Sequence, residues 1–237
     1  MKIALAAYES KNGDIAFNLK QMERAVKEAS GKAGLVVFGE AFLTGFDCLT
    51  WDFEKDKNTA IGRDSGIMND VLALSERYGV GLIFGYIERE EETLYSSCAV
   101  VKGGKLLYNY RRISRGWKEV SLADEHYREG NSVVEFVLDG KKLMLALCGD
   151  MWDFPGCFKT DGVLIWPVFL SYAPEDWPEC EAEYAEQASL AASETLMAGS
   201  ISLDPEAPSV GGTFFFRDGK TVMKAPFGEE SVLIVGI

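Results

Sequence analysis

Few residues of this chain stand where they could supply a nucleophile, an acid or base, or a ligand set. The apolar run Leu143-Met144-Leu145-Ala146-Leu147 ends in Cys148-Gly149-Asp150-Met151-Trp152-Asp153-Phe154-Pro155. A cysteine where a buried strand breaks into a helical turn points outward from the top of a sheet. The amide N–H groups after it can face whatever binds there, as at nucleophile elbows. The plain alternative is a small buried hydrophobe, the role of most free cysteines. Cys48, Cys98, Cys157 and Cys180 lack this setting and read as structural. A thiol nucleophile also needs a base. The single histidine, His126, lies in the polar run Ala123 to Gly130, so a Cys–His pair would rest on it alone. The other choice is a carboxylate buried enough for its pKa to rise towards neutrality. Glu40 fits: it follows Leu35-Val36-Val37-Phe38 through Gly39 and precedes Ala41-Phe42-Leu43. The carboxyl end of a buried strand is where α/β sites place their chemistry. An edge ion pair is the plain reading of the same residue.

These residues need elements to hold them. The opening Met1 to Tyr8 reads as a buried strand. Asp14 can cap a helix whose apolar face is Ile15, Leu19, Met22 and Val26, at spacings of four, three and four. Gly31 and Gly34 end it, and Leu35 to Phe38 is a short strand. Asp64 to Tyr78 is a second helix and Val80 to Tyr86 a third strand, so the first third reads β-α-β-α-β with strands apolar on both faces. The middle holds hairpins, with Gly103-Gly104 and Asp139-Gly140 as turns, and Gly162 to Pro167 is one more buried strand. Glu179 to Met197, rich in Ala and Glu, reads as one long helix with Tyr184, Ala188, Ala191 and Leu196 on one side. Strands are expected at Gly212 to Arg217, Lys220 to Lys224 and Ser231 to Ile237. No linker, charge block or repeat divides the chain, so one domain spanning 1–237 is expected, with helices outside sheet. The hairpins outnumber those of a simple doubly wound sheet.

Composition narrows the functions. With 237 residues, 47% hydrophobic and 12% aromatic, the chain can bury a sizeable core, which excludes disorder and collagen-like structure. A formal charge of −13 repels phosphate backbones and anionic lipid, so neither nucleic acid nor a membrane surface is an expected partner. No apolar run reaches the about 18 residues of a membrane-spanning helix, and Glu9 comes too early for a secretory segment. Five unclustered cysteines with one histidine make neither a zinc pattern nor a disulfide framework, and a reduced, cytoplasmic compartment is expected. Gly219-Lys220-Thr221 ends like a phosphate loop, but Phe214 stands where its first glycine must be. Gly79-Val80-Gly81 leads into a strand and so lacks the dinucleotide fingerprint.

Gly39-Glu40-Ala41-Phe42-Leu43-Thr44-Gly45-Phe46 resembles the PE-x-FLTGY segment of the nitrilase superfamily of carbon–nitrogen hydrolases. Cys148-Gly149-Asp150-Met151-Trp152-Asp153-Phe154-Pro155 resembles its C-x-D-x-R-F-P nucleophile segment. The likeness extends over nearly the whole chain, and the run Ala-Asp-Glu-His is especially like small bacterial omega-amidases. The resemblance implies an α/β fold, a four-layer αββα sandwich of two mixed sheets covered by helices. It implies hydrolysis of a small non-peptide carbon–nitrogen bond, most often a carboxamide, with no metal or organic cofactor, by a homodimer. On this likeness Glu40 is the general base, Cys148 the nucleophile and Glu125 the second glutamate. The Gly149 amide would help hold the oxyanion, and Trp152, Phe169 and Tyr172 fall on segments that line the pocket, although core packing also suits each. The family's tyrosine-arginine-lysine tripeptide reads Tyr110-Arg111-Arg112 here. Three readings stay open: Arg112 replaces the lysine, Lys118 reaches back into the site, or the chain is a silent binder of a small amide or acid. Met151-Trp152-Asp153 in place of an arginine-containing stretch is a second departure. A nitrile substrate would use the same residues.

Overall fold

Along β1 (Lys2–Ala7) successive side chains enter different cores. Ile3 and Leu5 join one cluster, Ala4 and Ala6 another. The same alternation runs through β2 (Leu35–Val37) and β3 (Gly81–Glu90): Leu35, Val37 and Ile83 enter the first core, Val36, Leu82 and Phe84 the second. A strand buried on both faces must lie in a layered structure, and this one does. The computed structural model describes residues 1–237.

The remaining elements are, in chain order, α1 (Ile15–Ala29), α2 (Phe53–Asp56), α3 (Gly66–Tyr78), β4 (Thr93–Lys102), β5 (Lys105–Arg111), β6 (Val134–Leu138), β7 (Lys141–Leu145), α4 (Asp150–Asp153), β8 (Val163–Val168), α5 (Trp177–Ser189), β9 (Glu194–Gly199), β10 (Ile201–Ser202), β11 (Ser209–Val210), β12 (Phe214–Arg217), β13 (Lys220–Lys224) and β14 (Ser231–Gly236). One sheet runs β14-β1-β2-β3-β4-β5 and the other β13-β12-β9-β8-β7-β6. In each the three central strands are parallel and the flanking strands antiparallel. The inner faces meet through Ile3, Leu5, Val37, Ile83 and Val100 on one side and Leu143, Leu145, Ile165 and Leu196 on the other. Helices α1 and α3 cover the first sheet with Met22, Ala25, Val26, Met68 and Val71, and α5 packs Tyr184, Ala185 and Ala188 on the second. The fold is therefore an αββα sandwich of two mixed sheets. No helix is long and apolar enough to cross a membrane.

Local signals place several elements where the sequence predicts them. The Asp14 carboxylate accepts the Phe17 amide at 3.0 Å and starts α1. Asp139 and Gly140 both have positive φ, as do Gly103 and Gly104, which the twist of a two-residue hairpin requires. One expectation fails. The long helix over Glu179 to Met197 is instead α5, ending at Ser189, followed by a turn and β9. Leu196, Met197 and Ala198 pair in parallel with β8, and Leu196 and Met197 also in antiparallel with β12, all fully buried. Completing a central strand outweighs the helix preference of Ala, Leu and Met there.

Candidate active site

The end of β7 delivers Cys148. Its amide donates to the Pro167 carbonyl at 3.0 Å, and the Trp166 indole donates to the Cys148 carbonyl at 2.9 Å. Between these anchors Cys148 takes φ +37°, a left-handed conformation that a non-glycine residue holds only when its surroundings enforce it. Asp150 supplies much of that enforcement. It is fully buried and accepts four hydrogen bonds: from the Leu147 amide at 2.9 Å, the Tyr110 hydroxyl at 2.5 Å, and the Ile113 and Ser114 amides at 3.1 and 2.8 Å. One carboxylate thus ties the turn after β7 to the chain leaving β5, across the two sheets. Burial and the Asp150 charge raise the pKa of Tyr110, so its phenol stays protonated and keeps donating.

Glu40 arrives from the end of β2. Its amide crosses to the Val168 carbonyl of the other sheet at 3.2 Å. Gly85 lets it pass this close: a Cβ there would lie 2.3 Å from the Ala41 nitrogen. The carboxylate is buried, and its Oε1 accepts from Arg112 Nη1 at 2.8 Å and from the Ser96 hydroxyl at 3.1 Å. Its Oε2 is buried without a hydrogen-bond partner, which leaves one oxygen open to take a proton. Arg112 is 2% exposed. Its Nε donates to Ser114 Oγ at 2.7 Å. Its Nη2 lies 2.4 Å from where a Cβ on Gly149 would be, so only glycine after the cysteine admits the guanidinium. Burial disfavours charge on Arg112, but Glu40, Cys148 and Asp150 more than restore it, and its pKa is raised.

Cys148 keeps some exposed surface, but its sulfur is surrounded by protein and directed at the Phe169 carbonyl, 3.9 Å away. Burial first, then the Glu40 charge, push the thiol up to about 12, while Arg112 pulls it down. The resting group is a neutral thiol beside a carboxylate–guanidinium pair. This arrangement can shuttle a proton between sulfur and carboxylate while holding a cation over the amide that follows the sulfur.

The sequence model of the family described as carbon-nitrogen hydrolase matches residues 2–155, which is well over half of the chain and includes Glu40, Arg112 and Cys148. The chain belongs to this family. Among curated relatives, this chain is 29% identical over 174 residues to a nitrilase of Pyrococcus abyssi, covering 68% of this chain and 63% of that one. It is 25% identical over 158 residues to the glutamine-dependent NAD(+) synthetase of Thermotoga maritima, covering 65% of this chain and 26% of that one. The chain therefore spans less than two thirds of either relative's length. A mutant of the amidase from Nesterenkonia sp. AN1, solved after Michael addition of acrylamide at its active-site cysteine, superimposes with a TM-score of 0.78. It shares 16% identity over 100% of this chain and 93% of that one, a likeness of fold.

The fold brings Glu40, Arg112, Cys148 and Gly149 together, and no hydrogen bond or ion pair ties Glu125 to them. Glu125 is exposed, and its side chain makes no hydrogen bond or ion pair, because the run Ala123 to Gly130 folds back to pair with Leu94 and turns that residue to solvent. Lys118 does not reach the site either. Its Nζ donates to the Tyr127 carbonyl at 2.8 Å and pairs with Glu129 at 2.7 Å. His126 stacks on Phe53 at 4.0 Å, bonded to Asp124 at 2.9 Å. Trp152 is 36% exposed and meets Tyr184 edge-on at 5.1 Å, and Tyr172 meets Tyr184 at 6.2 Å. Phe169 is buried and stacked on Phe46 at 4.4 Å. Asp150, Ser96 and Ser114 carry no assigned role in the sequence reading. Asp150 had a signal, a charge two residues after the cysteine at the end of an apolar strand. Ser96 had none, because its partner Glu40 lies on a distant segment, and Ser114 had none, because a serine two residues after an arginine does not say which way either side chain turns.

Proposed function

We propose that this carbon-nitrogen hydrolase cleaves a small carboxamide to its acid and ammonia through a thioester on Cys148. Glu40 takes the thiol proton as sulfur attacks the carbonyl carbon, and the carbonyl oxygen becomes an oxyanion. Arg112 and the Gly149 amide face that oxygen, where fixed donors in a water-poor site are worth most. As the tetrahedral intermediate collapses, Glu40 returns the proton to the departing nitrogen and ammonia leaves. Glu40 then takes a proton from water, whose oxygen attacks the thioester, and the proton passes to the cysteine sulfur as the acid is released. Trp152 and Tyr172, partly exposed beside Tyr184, form the wall against which a small or flat acyl group lies. The observation that carries the reading is the buried Glu40–Arg112 pair bearing on a thiol held at positive φ. The relatives add support: one is named an amidase and another glutamine-dependent.

The test is ammonia release from a panel of small primary amides by the parent and by C148A. Turnover lost in C148A supports the proposal, and turnover retained there overturns it. A second reading, a silent binder of a small amide or acid, is favoured by Arg112 in the lysine's place with two of its nitrogens already engaged. Hydrolysis that appears in R112K and is absent from the parent would establish it. A cytoplasmic homodimer built across the outer helices completes the proposal, and light scattering after size-exclusion chromatography reads the assembly.

A further inference from the structure

Arginine and lysine make different demands on the residues around them. An ammonium is a point charge that any ring of acceptors can hold. A guanidinium is a plane, and the direction of its third nitrogen is fixed only when the other two are held. In this site Arg112 Nη1 donates to Glu40 at 2.8 Å and Nε donates to Ser114 Oγ at 2.7 Å. With Glu40 alone the plane could pivot about that one bond. With both partners, Nη2 is left over Gly149, and it makes no hydrogen bond within the protein. The space beyond is closed by Gly116, where a Cβ would lie 3.0 Å from Nη2. Ser114 is suited to hold a plane because it cannot move. It is fully buried, and its amide donates to Asp150 Oδ1 at 2.8 Å, the same carboxylate that fixes the turn carrying Cys148. The backbone of Arg112 is pinned on both sides, its amide to Ser96 at 2.9 Å and its carbonyl by the Gly130 amide at 2.7 Å. The one degree of freedom left to set is the side-chain plane.

We propose that Ser114 is a positioning residue whose hydroxyl oxygen orients the Arg112 guanidinium towards the reacting carbonyl, a requirement created by having arginine at this position. It rests on the reading of Arg112 as the cation of the site. A lysine at 112 has no Nε and would not need Ser114.

The experiment combines S114A with R112K in a double-mutant cycle and reads two quantities. The first is kcat and KM for the best amide of the panel. S114A is expected to lower kcat about tenfold with KM nearly unchanged, since a hydrogen bond to a charged group is lost at an interaction formed in the transition state. In the R112K protein the same change is expected to do nothing further. The second is the pH profile of Cys148 alkylation by iodoacetamide, which needs no substrate. S114A is expected to move it to higher pH in the parent and to leave it unmoved in R112K, because a loosened guanidinium no longer draws the thiol pKa down. S114T and S114V form a control pair of equal size in which only threonine keeps the acceptor, and S114T should restore what S114V does not. Equal losses from S114A in both backgrounds, or S114V matching S114T, would overturn the proposal and leave Ser114 as packing. If no amide is turned over, the proposed function fails while the alkylation profiles still decide the role of Ser114.

Discussion

Burial raises the pKa of the Cys148 thiol, and two neighbours of opposite charge pull on it, Glu40 raising it further and Arg112 lowering it, with the sum pushed up to about 12. The sulfur therefore does not rest as a thiolate at neutral pH, and reactivity has to come from proton transfer at the moment of attack. This separates two roles of Glu40 that usually travel together. In E40Q the raising charge is gone and Arg112 loses its counter-ion, so the thiol pKa falls and the alkylation profile of Cys148 moves to lower pH. In the proposed mechanism the base is gone too, and ammonia release should fall by about 10²–10⁴-fold. A profile that moved to higher pH instead would mean that Glu40 draws the proton from the resting thiol, and that its action as a base outweighs its charge. Because E40Q leaves a buried guanidinium without its partner, it should also cost about 3–5 kcal/mol of stability, read by denaturant unfolding. Cys98, fully buried and raised in pKa, should stay unlabelled under conditions where the exposed Cys157 reacts, which calibrates both readings.

Elements bring these side chains together by approaches that only glycine allows. G149A would place a Cβ 2.4 Å from Arg112 Nη2, and the far end of a flexible side chain can retreat from it. The expected result is a modest stability loss of about 1–3 kcal/mol with turnover down about a hundredfold, because the guanidinium moves off the oxyanion position proposed for it. G85A would place its Cβ 2.3 Å from the Ala41 backbone nitrogen, which has nowhere to go, so the larger cost falls on Tm and the loss of activity follows from it. Equal effects on Tm from the two changes would contradict this. Such contacts also mark what was legible in the sequence. The ends of β2 and β7 could be read from apolar runs breaking into Glu40 and Cys148, and two hairpins from the paired turn residues Gly103-Gly104 and Asp139-Gly140. Glu125 could not be placed, because nothing local says which way a polar loop turns. Asp150 could not be assigned, because its bonds join segments about 36 residues apart, and Ser114 because nothing local says that Arg112, two residues before it, turns its side chain into the site. The stretch at Leu196 was misread for the same reason: its strand exists only through β8 and β12.

At the scale of the whole molecule, the site sits where two sheets of like design meet, each with three parallel strands at its centre, and the carboxyl ends of β2 and β7 face one another there. Arg112 pairs with Glu40 inside this junction, so the charge that matters chemically is balanced locally and shielded from salt. The surface is different. Thirty-seven acidic residues against twenty-four basic leave a charge of −13, and most of the ion pairs are exposed enough to contribute little. Long-range repulsion between carboxylates should therefore dominate the response to ionic strength. Raising NaCl from about 20 to about 500 mM shortens the screening length several-fold and relieves that repulsion. If the relief amounts to about 1 kcal/mol, Tm rises by about 2–4 °C for a chain of this size. The alkylation profile of Cys148, set by a pair that water and salt do not reach, should change far less over the same range. Scanning calorimetry at the two salt concentrations decides the first point. A falling Tm would show that the surface ion pairs, not the excess charge, govern the stability of this sandwich.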